Sequence, residues 1–240
     1  MLKIIFDNGT KLKNWINAIN LVADEAYLKY DQKEGLAVRA MDPSQICMVD
    51  FKVPAIELDG FKVDKPDMVE VSFLELKKVC KRLTSSDAVE LTIDKNVVIK
   101  AENKNATRKF SVGLLGGGQQ FPKMPTIEFT SKAIVKSDQL VSMLKDADVV
   151  STYVNLSVAE QMTLFAKGDS GTLNIEAGDT IKVESGGKTS ANFSLEFLTK
   201  FAKCAKGQAL IELRTDAPLL LSFNLDGADI AYFLAPRIES

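Results

Sequence analysis

The residue types that carry most protein chemistry are unevenly supplied in this chain. None of its 240 residues is a histidine, which excludes a Ser-His-Asp or Cys-His centre and any histidine-ligated metal. Cys47, Cys80 and Cys204 lie far apart and make no CxxC pair, so they read as thiols of a reducing compartment. "SGGKTS" at 185–190 ends like a phosphate-binding loop, but the first glycine of that motif would fall on Lys182. A plain hairpin loop is the simpler reading. No pair of carboxylates stands out as acid and base. The chain therefore does not read as an enzyme, and neither a cofactor nor a metal is expected.

Positive charge, in contrast, is concentrated. Four segments, 10–22, 73–83, 138–148 and 194–206, show apolar residues at helical spacing. Lys11 and Lys13 lie opposite the first stripe, and Lys77, Lys78, Lys81 and Arg82 opposite the second. Lys145 belongs to the third, and Lys200, Lys203 and Lys206 to the fourth. The segments carry net +2, +3, −2 and +2, a total of +5 in a chain whose net charge is −2. Glu75, Asp138 and Glu196 sit in first turns, where the helix dipole favours acid. Asp146 and Asp148 have no such explanation. A lysine-bearing helix face is ordinarily just solvated, with acids interleaved at i,i+4, yet three of these four faces lack that pattern. Basic helices on an acidic body suit a polyanion. With neither exposed aromatics for stacking nor an arginine cluster for base edges, contact would go to backbone phosphates. It would be blind to sequence and sensitive to salt.

A second feature is a corner. In "GLAVRAMDPSQICMVDFKVP", residues 35–54, two alternating stretches read as strands around a Met-Asp-Pro-Ser turn. Met41 and Ile46 occupy that turn, where water favours polar side chains.

The elements that must position these residues occur twice. "VEVSFLELKKVCKRLTSSDAVEL" from Val69 matches "ANFSLEFLTKFAKCAKGQALIEL" from Ala191 at a constant offset of 122. Upstream, Leu36-Ala37-Val38 matches Met162-Thr163-Leu164, and Tyr27 matches Tyr153. Two copies of one unit are expected, 1–115 and 127–240, joined by a connector over 116–126. Each copy reads helix, strands, helix, strands. Leu12, Trp15, Ile16, Ile19 and Val22 form the first stripe, and Ser72 with Glu75 reads as a capping box for the second. Short alternating strands include "AVELTI", "VVIKAE", "RKFSVGL" and "DIAYFL". The pattern fits an α+β protein with helices on one face of antiparallel sheets.

"AMDPSQICMV", "TDAPLLLSF" and the C-terminal "YFLAPRIE", in that order, resemble the sliding clamps of the proliferating cell nuclear antigen family, with a length that points to the archaeal branch. The resemblance covers essentially the whole chain. It implies a DNA clamp fold in which three two-domain subunits form a pseudo-sixfold ring with helices lining the hole and sheets outside. Duplex DNA would thread the ring, which would act as a processivity factor. Partners would be DNA polymerase, clamp loader, flap endonuclease and DNA ligase, captured through short hydrophobic peptides. The resemblance places the peptide site on Met41, Gln45 and Ile46, with Met124 and Pro125 of the connector. Ala217, Pro218, Phe233, Ala235, Pro236, Arg237 and Ile238 complete it. Met41 and Ile46 could instead tuck under the connector as satellite core. It also implies pairing of edge strands between subunits through 109–115 and 179–184, with Phe110, Val112, Leu114, Ile181 and Val183 as interface candidates. These could instead face inward within one subunit.

One departure is that the family's connector is usually acidic near its start, whereas "LLGGGQQFPKMP" has no acid. A specialised subunit of a mixed ring therefore remains open, as does a clamp-fold adaptor that mainly scaffolds partners. A phosphate-handling enzyme built on the Lys188 loop is a third class. No apolar run approaches the ~20 residues of a membrane span, and the N-terminus shows no signal-peptide pattern. The expectation is an intracellular protein with no membrane partner, in the cytoplasm or nucleoid, or in the nucleus if eukaryotic.

Overall fold

The computed structural model describes residues 1–117, 121–169, 171–178 and 180–237. The chain divides into two compact units, Met1–Lys123 with Leu225–Ile230, and Met124–Asn224 with Ala231–Ser240.

The first unit runs β1 (Leu2–Phe6), α1 (Gly9–Asn20), β2 (Glu25–Asp31), β3 (Gly35–Met41), β4 (Cys47–Val53), β5 (Lys62–Val63), β6 (Asp67–Ser72), α2 (Phe73–Cys80), β7 (Ala88–Ile93), β8 (Asn96–Glu102) and β9 (Thr107–Gly113). A five-stranded antiparallel sheet has the order β5-β1-β7-β8-β9, and a second group the order β4-β3-β2-β6. Alternating burial along β7 and β8 shows why the period-two pattern folds this way: Val89, Leu91, Ile93, Val97, Ile99 and Ala101 point inward. The helix stripes cover that face. Trp15, 2% exposed, is packed edge-on against Phe6 and Phe51, and its indole N–H donates to the Leu225 carbonyl at 3.0 Å. It is core, as its place on the stripe predicts.

The second unit runs β10 (Ser131–Lys136), α3 (Ser137–Asp148), β11 (Tyr153–Val158), β12 (Met162–Gly168), β13 (Gly171–Glu176), β14 (Lys182–Ser185), β15 (Thr189–Ser194), α4 (Leu195–Cys204), β16 (Gln208–Leu213), β17 (Leu219–Leu225) and β18 (Ala228–Leu234). Its strands follow β14-β10-β16-β17-β18 and β13-β12-β11-β15. Adding nine to every strand number of the first unit reproduces these orders, so the repeat seen in the residues is also a repeat of topology. Here the aromatic centre is Phe201 stacked on Tyr232, with centroids 4.2 Å apart.

Helix ends differ slightly from the sequence pattern. Ser72 Oγ accepts from the Glu75 N–H at 3.3 Å, as a capping box requires, but the Glu75 carboxylate turns to Lys78 instead, at 2.5 Å. α2 ends at Cys80 and α4 at Cys204, so Lys81, Arg82 and Lys206 lie just beyond the helices. "SGGKTS" joins β14 to β15, which belong to different sheets. It is therefore not a hairpin loop as expected from sequence, nor does it lead from strand to helix as a phosphate-binding loop must.

Candidate functional site

Each unit presents its two helices as a packed pair, and specific residues lock the first pair. Asn8 caps α1 by accepting from the N–H groups of Thr10 and Lys11 at 3.0 and 3.4 Å. Gly9 donates to the Thr84 carbonyl at 3.1 Å. A Cβ there would lie 2.7 Å from Leu83 Cβ, so only glycine lets α1 start this close to the turn after α2. At the other end Lys77 Nζ donates to Asn20 Oδ1 at 2.8 Å, linking the helices.

All ten predicted phosphate-binding cations are at the surface. Lys78, Lys81, Arg82, Lys145, Lys200, Lys203 and Lys206 are exposed; Lys11, Lys13 and Lys77 are half-buried. They are not equivalent. Lys78 is held by Glu75 and Lys200 by Glu196 at 2.7 Å. The second pair is spaced i,i+4, which corrects the reading that the face of α4 lacks such pairing. The Lys200 ammonium keeps the Glu196 carboxyl below its usual range. Lys11 donates to the Glu57 carbonyl at 3.1 Å and stands 5.0 Å from the Trp15 ring. Lys81 and Arg82 follow the carboxyl end of α2, where the helix dipole favours cations. On α3, Asp146 and Asp148 are exposed beside Lys145, and nothing in the structure explains them.

The corner is built by one carboxylate. Asp42 accepts from the N–H groups of Ser44 at 3.1 Å and Cys47 at 2.6 Å. Its own N–H donates to the Cys47 carbonyl and its carbonyl accepts from Gln45. Gln45 takes a left-handed φ of 58°, which costs a non-glycine residue about 1 kcal/mol. Met41 and Ile46 are each 40% exposed, so they are not satellite core. In the second unit, Ala217 and Pro218 are half-buried after Asp216, whose φ is 53°. Met124 is 38% exposed and Pro125 half-buried. Ala235 and Pro236 are half-buried, and Arg237 is fastened: its N–H donates to the Asn192 carbonyl at 2.7 Å while its guanidinium lies 3.7 Å from the Tyr153 ring centre. Phe233 is 7% exposed, too enclosed to offer more than an edge. Ile238 lies outside the described residues.

The interface candidates divide. β9 ends its sheet, with Phe110 and Val112 half-buried on one face and Leu114 half-buried just past the strand. Arg108 on the same strand binds the carboxylate of Asp87, which also accepts from the Thr84 N–H at 2.7 Å and Asn103 Nδ2 at 2.7 Å. Burial would raise the Asp87 carboxyl, but Arg108, Thr84 and Asn103 outweigh it and hold it down at about 2. Val183 is half-buried on β14, whereas Ile181 is 7% exposed within a single chain. Ile181 therefore has little apolar surface left to offer a neighbouring subunit. β13, passed over in the sequence, ends the other sheet with Leu173 and Ile175 half-buried in alternation. Its short "GTLNIE" pattern was the available signal.

Residues 1–116 match the N-terminal domain of proliferating cell nuclear antigen. The DNA polymerase sliding clamp of Thermofilum pendens is 30% identical over an alignment of 249 positions that spans all of both chains. Among solved structures, Archaeoglobus fulgidus proliferating cell nuclear antigen with the bound C-terminal region of FEN-1 is 27% identical, with a TM-score of 0.88 and full coverage of both chains. The clamp of Thermococcus kodakaraensis, at 21% identity and a TM-score of 0.91 over 99% of this chain and 100% of its own, shares the fold. A duplicated α+β topology, a cationic helix set and full-length similarity therefore agree: the chain belongs to the proliferating cell nuclear antigen family of DNA polymerase sliding clamps, in its archaeal type.

Proposed function

We propose that this chain is a subunit of a trimeric ring that encircles duplex DNA and tethers replication and repair enzymes to it. The observation that carries the reading is the placement of cations. Ten lysine and arginine side chains lie on the four helices or the turn after them, all reaching the surface. Three copies would gather about +15 on their helices, taking +5 from each chain. Topological closure would hold the ring on DNA while phosphate contacts stay weak enough to slide. No catalytic residue is needed. The organisation is taken as 1–115 and 127–240 around a connector at 116–126.

Partner peptides would be captured at Met41, Gln45 and Ile46, Met124 and Pro125, Ala217 and Pro218, and the C-terminal Ala235 to Ile238. Exposed Met41 and Ile46 support this, since methionine adapts to varied guests. Subunits would join by edge-strand pairing, with β9 on one side. On the other side β13 suits the role better than 179–184, because its apolar row is only half-buried.

The test is the native mass, with retention on circular and linear duplex. A mass near three times 26.3 kDa and retention on circles alone support the ring. A monomer at micromolar concentration that no related subunit converts into a ring refutes it. The acid-free connector favours one further reading, a subunit of a mixed ring, which mass spectrometry of the native assembly distinguishes by subunit composition.

A further inference from the structure

The connector that follows the first repeat carries its own fastening, made wholly within the first unit. Arg39 on β3 stands opposite Asp50 on β4. Its Nε donates to the Asp50 carboxylate at 2.7 Å, and Lys52 holds the other oxygen at 2.8 Å. Asp50 is buried, so the guanidinium is fixed in place, and its Nη1 donates to the Pro122 carbonyl at 3.0 Å. Phe121 meets two cations, with Lys29 Nζ 3.9 Å and the Arg39 guanidinium carbon 5.1 Å from its ring centre. Both are inside the roughly 6 Å at which a ring face attracts a cation.

Upstream, the Leu115 N–H donates to the Glu70 carbonyl at 3.0 Å. Gly117 passes so near Tyr27 that a Cβ would lie 2.6 Å from the phenol oxygen, which explains at least this glycine of the triplet. Glu70, Tyr27, Arg39 and Asp50 are partners in register across β6, β2, β3 and β4. The described residues at 115–117 and at 121–122 thus lie against one row of the sheet. The connector has no carboxylate to give these cations, so a ring and a carbonyl take that place.

The geometry points to Arg39 and Phe121 as positioning residues for partner capture, a role that rests on the peptide-binding reading above. Met124 follows Pro122 by two residues, which span at most roughly 7 Å. Fastening Pro122 therefore confines Met124 and Pro125, and a confined site loses less freedom when a peptide docks.

The test uses the full-length protein, a labelled peptide copying the C-terminal region of A. fulgidus FEN-1, and trypsin cutting after Lys123, one residue past the anchor. Phe121→Leu leaves the Arg39–Asp50 pair intact and keeps the fold. It should speed cleavage at Lys123 and weaken the peptide by about tenfold, the scale of one or two lost cation–ring contacts. Arg39→Lys should do the same, and Phe121→Trp should restore both readouts. Unchanged cleavage and affinity in Phe121→Leu overturns the proposal; faster cleavage with unchanged affinity keeps the fastening and overturns its role in capture. If the unaltered protein fails to bind the peptide, the peptide-binding reading and the capture role fall together, while the cleavage ratio still decides whether Arg39 and Phe121 fasten the connector.

Discussion

Replacing Asp87 by Asn should expose how much the β9 edge depends on one buried charge. Asp87 is fully enclosed, and Arg108, Thr84 and Asn103 hold its carboxyl at about 2 against an ordinary 3.8. Every tenfold change in proton affinity between the folded and unfolded chain is worth ~1.4 kcal/mol, so the ionised form contributes roughly 2 kcal/mol of stability at neutral pH. Because the folded value is the lower one, this contribution is present above pH 4 and fades as pH falls from about 4 towards 2. Asp87→Asn removes it and leaves a part-buried guanidinium without its anion; Arg108 Nε already has no partner. Urea unfolding of both proteins from pH 7 down to pH 2.5 should show a gap of about 2 kcal/mol at neutral pH that narrows steadily below pH 4. Amide exchange over Thr107–Gly113 should quicken in the variant at pH 7, since Arg108 lies on that strand. A gap that stays constant across the whole pH range would refute the argument, because a loss of shape or packing alone does not titrate.

Three further outcomes are expected. Lys81→Ala with Lys203→Ala should lower the salt dependence of DNA retention more than Lys78→Ala with Lys200→Ala, although both pairs remove the same charge. Lys78 and Lys200 must first leave Glu75 and Glu196, so equal effects in salt titrations would mean that only the overall field matters. Ile46→Asp should abolish capture of the FEN-1 peptide in anisotropy measurements while the native mass stays the same; a change of mass would mean the corner is structural. Burial pushes the Cys80 thiol up to about 12, so at pH 8 a thiol reagent should label half-buried Cys204 first and reach Cys80 only on unfolding, as peptide mapping would reveal.

Local regularities were readable because they repeat within a few residues. The stripe through Leu12, Trp15 and Ile19 and the alternation through Val89, Leu91 and Ile93 each report a face from spacing alone. The duplication was readable for a related reason, since the same spacing returns at a fixed offset. What stayed hidden are meetings set by topology. Nothing near Phe121 in sequence announces that Lys29 and Arg39 will flank it, and Asp87 looks like any loop acid until β9 brings Arg108 alongside. The edge at 179–184 makes the same point: its strand pattern is plain in the sequence, but the burial of Ile181 depends on its neighbours in space.

The corner between β3 and β4 takes its shape from hydrogen bonds inside itself, nearly all of them made by Asp42. A segment docking there, as proposed, would have no loop to reorganise, and little of its binding energy would be diverted into folding the host. Such a preformed landing place would let a guest dock without waiting for the host to rearrange, and would leave more of each contact's energy for holding it.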